Sequence, residues 1–273
     1  MTHKVRIAVD AMGGENSPTK ILDGIEISLK KNKENFFLLY GQESILDKEL
    51  KSRPNIIDNC KIINAIDSIL DDESPLTAAK RGKGSSMWKS VQAQKDNQAD
   101  ITLSAGNTGA LLIISRLILK SLENIDKPAL AGLWPSQKAT NVVLDLGANI
   151  ECNEKNLIEF SEMGSALFKS LFPNDKPNVA LLNVGLEEIK GNETIKKAFN
   201  FLKNNKNHEF DFSGYIEGNH IMDGNVNVIV TDGFTGNVAL KTAEGTATFF
   251  TKNLQKSLNK ISLIFSYLKL KKF

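Results

Sequence analysis

The sequence predicts an α/β protein built on a mostly parallel sheet with helices on both faces. Apolar, β-branched runs alternate with amphipathic stretches of helical period, and small polar residues gather at the carboxyl end of nearly every run. In chain order the runs are KVRIAV, FFLLY, CKIINA, ITLS, NVVLDL, NVALLNV and NVNVIVTD. Between most of them lie segments such as TKILDGIEISLKKN and NLIEFSEMGSALFKSLF, whose apolar residues share one helical face. From about Thr242 the pattern is purely helical, with Phe250, Leu254, Leu258, Ile261, Phe265 and Leu268 on one stripe. The expected division is an α/β domain over residues 1–245 and a basic amphipathic helical extension over 246–273.

Composition sets the class. The chain has 273 residues, 41% apolar and 24% charged, as an ordinary globular protein does, and a formal net charge of +2 calls for no nucleic-acid partner. Cys60 and Cys152 stand in no metal or redox spacing, which suits a reducing compartment. The first strand follows the amino terminus so closely that no signal peptide is expected. The longest apolar segment, ALLIISRLILKSL, is interrupted by Arg116 and too short to span a bilayer. A cytoplasmic protein is expected.

The strand ends carry the functional signal. They read DAMGGENSP (10–18), SAGNTG (104–109), DLGAN (145–149), NVGLEEIKGN (183–192) and TDGFTGN (231–237). In a parallel sheet all five lie on the carboxyl edge, where open α/β folds bind ligands. Glycine lets the backbone approach closely, and the helix that follows presents free N–H groups and its positive dipole end. Such corners suit a phosphate-bearing anion. The candidates are Asp10, Gly13 and Gly14 in the first corner, and Gly106, Thr108 and Gly109 in the second. The third offers Gly147 and Asn149, the fourth Gly191 and Asn192, and the fifth Gly233, Thr235 and Gly236. In the first corner Ser17 is expected to cap a helix whose first residue is Pro18.

The side chains narrow the chemistry. Only His3, His208 and His220 are present, with no pair at helical spacing, and no dense carboxylate cluster stands ready for a metal. No Walker A or GxGxxG fingerprint occurs, RGKGSSM (81–87) is expected to be a helical stretch with a basic face, and LDDES (70–74) a solvated turn. Neither cofactor nor metal is expected. What remains is Lys190, Lys241, the amides Asn107, Asn149, Asn192 and Asn237, and Asp10, Asp145 and Asp232. That set can hold an oxyanion but supplies no histidine base. It suits a nucleophile already ionised and a leaving group that departs easily. Inorganic phosphate attacking a thioester meets both conditions, as one candidate among several.

Taken together, VDAMGGENSP, SAGNTGAL, LDLGAN, LLNVGLEEIKGNE and TDGFTGNVALKTAEG resemble the bacterial phosphate acyltransferase family of phospholipid synthesis, in the same order from about Val5 to Lys271. The resemblance implies a Rossmann-like fold similar to the phosphate acetyltransferases and the isocitrate/isopropylmalate dehydrogenases. It implies a cytoplasmic homodimer that moves a fatty acyl group from acyl carrier protein to inorganic phosphate. The acyl phosphate would feed a membrane glycerol-3-phosphate acyltransferase. Two departures stand out. In IEGNHI (216–221) the family usually has Arg-Asp where this chain has Asn219-His220. Family members also continue past the position of Phe273 through a glycine-rich segment and a His-Gly-Ser-Ser stretch, so the chain reads as a shortened form.

On this reading phosphate is expected among Gly106–Gly109, Lys190 and Gly233–Asn237. Lys190 and an amide, Asn107 or Asn237, would stabilise the tetrahedral oxyanion, and Asp232 would orient the donor. In the tail, Leu258, Ile261, Ile264, Phe265 and Leu268 are expected to meet a second copy or, weakly, an anionic membrane, aided by flanking lysines. The basic tail and RGKGSSMWK favour an acidic carrier protein over acyl-CoA as donor, the leading alternative. A dehydrogenase ranks third, and a non-catalytic scaffold that binds carrier protein or lipid is the reading from another class.

Overall fold

The computed structural model describes residues 4–205 and 208–270, with side chains up to Leu258 in the last helix. The chain forms two compact units, divided between Asn124 and Ile125.

The first unit holds β1 (Arg6–Asp10), β2 (Phe36–Gly41), β3 (Cys60–Asn64) and β4 (Ile101–Ser104), all parallel, in the order β3-β2-β1-β4. Its helices are α1 (Thr19–Lys31), α2 (Glu43–Lys51), α3 (Pro75–Arg81), α4 (Ser86–Lys95) and α5 (Thr108–Ile118). In α1, Leu22, Ile25 and Leu29 recur at helical spacing and bury against Leu39, Leu46 and Ile56. Full burial of a leucine such as Leu22 contributes about 2 kcal/mol. The strand order reverses beside β1, the place where open sheets form ligand crevices. Register puts Asp10 opposite Ser104 there.

The second unit holds β5 (Gly132–Pro135), β6 (Thr140–Leu144), β7 (Asn178–Leu182), β8 (Asp211–Ile216) and β9 (Val228–Val230), in the order β5-β6-β9-β7-β8. Every pair is parallel except β5 with β6. Around it lie α6 (Glu154–Leu171), α7 (Glu193–Asn204) and α8 (Gly233–Leu270). A capping box between Asn153 and Asn156 starts α6, which buries Leu157, Phe160 and Phe168 against Val142, Leu144 and Val228. The three central strands β6, β9 and β7 are buried along almost their whole length, which is why they read as continuous apolar runs.

The expected α/β class and parallel pairing are present, but in two sheets rather than one. The expected boundary at 245/246 falls inside α8, which runs unbroken from Gly233. Two strands escaped the sequence pattern. β5 is a four-residue antiparallel edge ending in proline. β8 carries Gly214 at φ +83° and pairs with β7 across a register shift between Val179 and Leu181, which breaks its alternation. RGKGSSM is not one helix: α3 ends at Arg81, a single 3-10 turn follows, and the Ser85 side chain accepts from Trp88 N–H at 3.1 Å to begin α4. Ser17 does not cap α1 either; its hydroxyl donates to Gly13 O at 2.5 Å, and Pro18 sits at the cap position. Among the described residues no helix is long and apolar enough to cross a membrane.

Candidate functional site

In the first unit the β1 and β4 corners are joined by a buried carboxylate. Asp10 is 1% exposed and accepts from Ser86 Oγ at 2.5 Å and Ser104 Oγ at 2.7 Å. Burial raises its pKa, and the hydrogen bonds from Ser86, Ser104 and the backbone of Met12 and Gly13 oppose that rise. Ser104 Oγ in turn accepts from Gly106 N–H at 3.1 Å. The glycines let the two loops touch: a β-carbon on Gly106 would lie 3.1 Å from Gly13 Cα, and one on Gly14, at φ +87°, would lie 2.5 Å from Ala105 O. Gly109 packs on Pro75, and Thr108 is exposed at the start of α5.

Asn107 is fully committed. Its Oδ1 accepts from Ala110 N–H at 3.0 Å, capping α5. Its amide donates to the carbonyls of Asp71 at 3.1 Å and Glu73 at 2.8 Å, tying down the 70–74 turn. The expected oxyanion donor is therefore a brace between a loop and a helix start. Asp10, expected to touch substrate, is likewise a buried hub. Arg81 of the basic stretch pairs with Glu73, whose carboxyl it holds below the usual range.

In the second unit Asp145 plays the corresponding part. It is 0% exposed. Its Oδ1 accepts from the N–H groups of Leu130, Gly147 and Ala148, and its Oδ2 from Asn149 N–H at 2.7 Å and Asn149 Nδ2 at 2.8 Å. Asn149 Nδ2 also donates to Pro128 O at 2.7 Å, so this amide too is spoken for. Parallel pairing of β6 with β9 brings Thr231 beside Leu144 and Asp145, and the start of α8 then lies on the 145–149 loop. Gly233 N–H donates to Asn149 O at 2.8 Å. A β-carbon on Gly233 would fall 2.6 Å from Asn149 O, and one on Gly236 1.9 Å from Asp145 O. Gly233 and Gly236 thus form the flat face of one helical turn, pressed on a loop. Gly147, at φ +132°, lies beside Asn237 at ordinary contact distance, 3.4 Å from where its β-carbon would be.

The first turn of α8 is not left open as expected. Asp232 Oδ1 accepts from Thr235 N–H and its Oδ2 from Thr235 Oγ1, both at 2.8 Å, so Asp232 caps the helix. Asn192 caps α7 by accepting from Ile195 N–H at 2.9 Å. Asn183 holds the loop between β7 and α7, donating to the carbonyls of Gly185 and Lys190 while Gly191 closes over it at φ +91°. Lys190 itself is exposed.

The carboxyl-edge loops after β6, β7 and β9 border an open cavity of about 530 Å³. Asn192, Asp232 and Thr235 line it, with Ile150, Glu151, Cys152, Leu157, Thr194, Ile195, Thr231 and Phe234; Lys190 does not. Burial raises the Cys152 thiol, and a Gly233 N–H near the sulfur pulls the other way. The lining residues Ile150 and Ile195 carried no sequence signal, because an apolar residue beside a helix start looks like core, and Thr194 read as an ordinary first-turn residue. His220 is exposed and bonded to Asp223 at 2.7 Å, and His208 pairs with Glu162 at 2.6 Å and stacks on Phe210. His3 lies outside the described residues, as do the side chains of Ile261, Ile264, Phe265 and Leu268. Leu258 is 54% exposed on α8. Among the described residues no group of three His, Cys, Asp or Glu is placed to hold a metal.

Known proteins resemble this chain in sequence and in fold. The family described as "Fatty acid synthesis protein" matches residues 5–272. A phosphate acyltransferase from Pelagibacter ubique is 55% identical, covering 100% of this chain and 83% of its own length. One from Xanthobacter autotrophicus is 45% identical, covering 90% of this chain and 69% of its own. Among solved structures, a phosphotransacetylase from Streptococcus pyogenes superposes with a TM-score of 0.63 at 16% identity, over 91% of this chain and 83% of that one. The EutD phosphotransacetylase from Staphylococcus aureus gives 0.62 at 17% identity, over 90% and 83%. At such identity these two structures speak for the α/β fold alone. On the sequence relationships, the chain belongs to the phosphate acyltransferase family of enzymes.

Proposed function

We propose that this chain transfers a fatty acyl group from the thioester of acyl carrier protein to inorganic phosphate. A phosphate oxygen attacks the thioester carbonyl, the C–S bond breaks, and the products are acyl phosphate and a carrier thiolate that takes its proton from water. The observation that supports this reading is the cavity in the second unit, lined by Asp232 and Thr235 of the 231–237 corner and by Asn192 of the 183–192 corner, in a chain 55% identical to a phosphate acyltransferase. The reaction needs no histidine base, since phosphate is already ionised and a thiolate leaves readily. In this account Lys190 and backbone N–H groups meet the developing oxyanion, with Asn237 beside Gly147 as the free amide. Asn107, Asn149 and Asp232 position these corners instead of reacting. The acyl phosphate would pass to a membrane glycerol-3-phosphate acyltransferase. The donor is tested by offering acylated carrier protein and acyl-CoA side by side with phosphate. Preference for the carrier supports the reading, and a strong preference for CoA overturns it.

The long α8 fits a homodimer with weak membrane contact. Phe250, Leu254 and Leu258 are all exposed on its described part, so the helix buries little of its apolar stripe in its own unit. We assign that stripe first to a second copy. The tail beyond it, with its lysines, would touch anionic lipid. Dimer formation with vesicle binding that fades as salt rises is the expected result; an intact dimer that ignores anionic vesicles at low salt restricts the tail to assembly.

A further inference from the structure

We infer that Asn183 is a positioning residue for acyl transfer: its side-chain amide locks the loop between β7 and α7, so that Lys190 is presented from a fixed backbone. This rests on the reading that the Lys190 ammonium meets the developing oxyanion, and adds to it the group that aims the lysine.

The lock is built from both ends of the loop. Asn183 N–H donates to Ile216 O at 2.9 Å, so its own backbone continues the pairing of β7 with β8. A side-chain amide carries two N–H donors. Asn183 Nδ2 donates to the carbonyls of Gly185 at 3.1 Å and Lys190 at 3.2 Å, bridging seven positions of chain. From the other end, Lys190 N–H donates to Glu187 O at 2.9 Å, and Asn192 caps α7 just beyond. Gly191 stands between them at φ +91°, and a β-carbon there would lie 2.5 Å from Asn183 Oδ1. Glycine suits that position twice, for the backbone angle and for the room the amide takes. Lys190 is thus held through its N–H, its carbonyl and the helix start that follows.

Packing does not do this work. Val184, Leu186 and Ile189 are 79%, 57% and 80% exposed, so the apolar side chains of the loop do not anchor it. The side chain on the fixed backbone is left free: Lys190 is exposed, and its ammonium has no hydrogen bond or ion pair among the described residues. Its charged neighbours are already matched, Lys203 with Glu188 and Lys196 with Glu193. A tethered backbone under an uncommitted charge serves a ligand better than it serves stability. Lysine has a long flexible stem, so the position of its backbone sets where the ammonium is found. A displacement of about 1 Å at a reacting group costs about a hundredfold in rate.

Two variants test the inference. Asn183→Ala removes both donations, and Gly191→Ala drives a methyl onto Asn183 Oδ1 and displaces the amide. In each, hydrogen–deuterium exchange of the peptide spanning 184–191 should rise severalfold while the strands of the second unit keep their protection. Phosphate-dependent release of carrier thiol should show kcat lowered about tenfold or more at unchanged donor KM, as for an interaction made only in the transition state. In a Lys190→Ala background, either variant should cost less than about twofold more, because the lysine it aims is gone. An equal loss of kcat in both backgrounds is what a merely structural asparagine gives, and it overturns the inference. Exchange that stays slow, or unchanged kcat over a loosened loop, does the same. Should Asn183→Ala fail to fold, Gly191→Ala decides by the same readouts. Normal turnover in Lys190→Ala would remove the role of the lysine and of Asn183 with it, leaving acyl transfer intact. A parent protein without phosphate-dependent turnover would remove the acyl-transfer reading as well.

Discussion

Gly236 lies against Asp145 so closely that a β-carbon at 236 would fall 1.9 Å from the Asp145 carbonyl oxygen. That oxygen belongs to backbone whose own carboxylate anchors the 145–149 loop, so it has little freedom to retreat. Gly236→Ala should destabilise the protein by about 2 kcal/mol or more, the cost of overpacking a rigid contact. Gly245, on the exposed part of α8, has nothing within 4 Å of its missing β-carbon. Gly245→Ala should stabilise by up to about 1 kcal/mol through helix propensity alone. Chemical denaturation of the two variants side by side checks both signs.

Asp10 supplies a pH signature. Burial holds its carboxyl above the ordinary 3.8, so above that value the folded state keeps a proton that the unfolded chain has lost. Stability from this group is full below 3.8 and falls as pH rises through the raised folded value. Asp10→Asn should flatten that part of the stability profile. Asp10→Ala should cost about 2 kcal/mol or more at every pH, because the hydroxyls of Ser86 and Ser104 lose their acceptor. Urea titrations across the acidic range separate these outcomes.

Lys190 and Asn107 should part company when mutated. Lys190 is exposed, so Lys190→Ala should leave the melting temperature nearly unchanged. Its turnover should drop about ten- to a thousandfold if the ammonium meets the transition state. Asn107→Ala removes a helix cap and the tie to Asp71 and Glu73. It should lose about 1 kcal/mol from the cap alone and lower the melting temperature by a few degrees. Near-normal turnover in a folded Lys190→Ala protein would assign that lysine to the surface.

The sequence made the corners legible and their interior roles illegible, for one reason. Gly-x-Thr-Gly after an apolar run announces a strand that turns into a helix, and it does so at Gly106–Gly109 and Gly233–Gly236 alike. Whether the polar residues there face a ligand or a neighbouring loop depends on register, which the one-dimensional pattern does not carry. Ser104 reaches Asp10 only because β1 and β4 pair with Asp10 opposite Ser104. Asp145 meets the start of α8 only because β9 inserts between β6 and β7. The cavity wall was hidden more deeply. Ile150 and Phe234 look in sequence like any residue beside a core, and only their exposure in the fold marks them.

The most direct test of acyl transfer follows two products at once. Acylated carrier protein is incubated with this chain at rising phosphate, free carrier thiol is titrated, and acyl phosphate is trapped with hydroxylamine. The account predicts thiol and hydroxamate appearing together, in equal amounts, only when phosphate is present. Thiol release indifferent to phosphate, or release without trapped acyl phosphate, would contradict it.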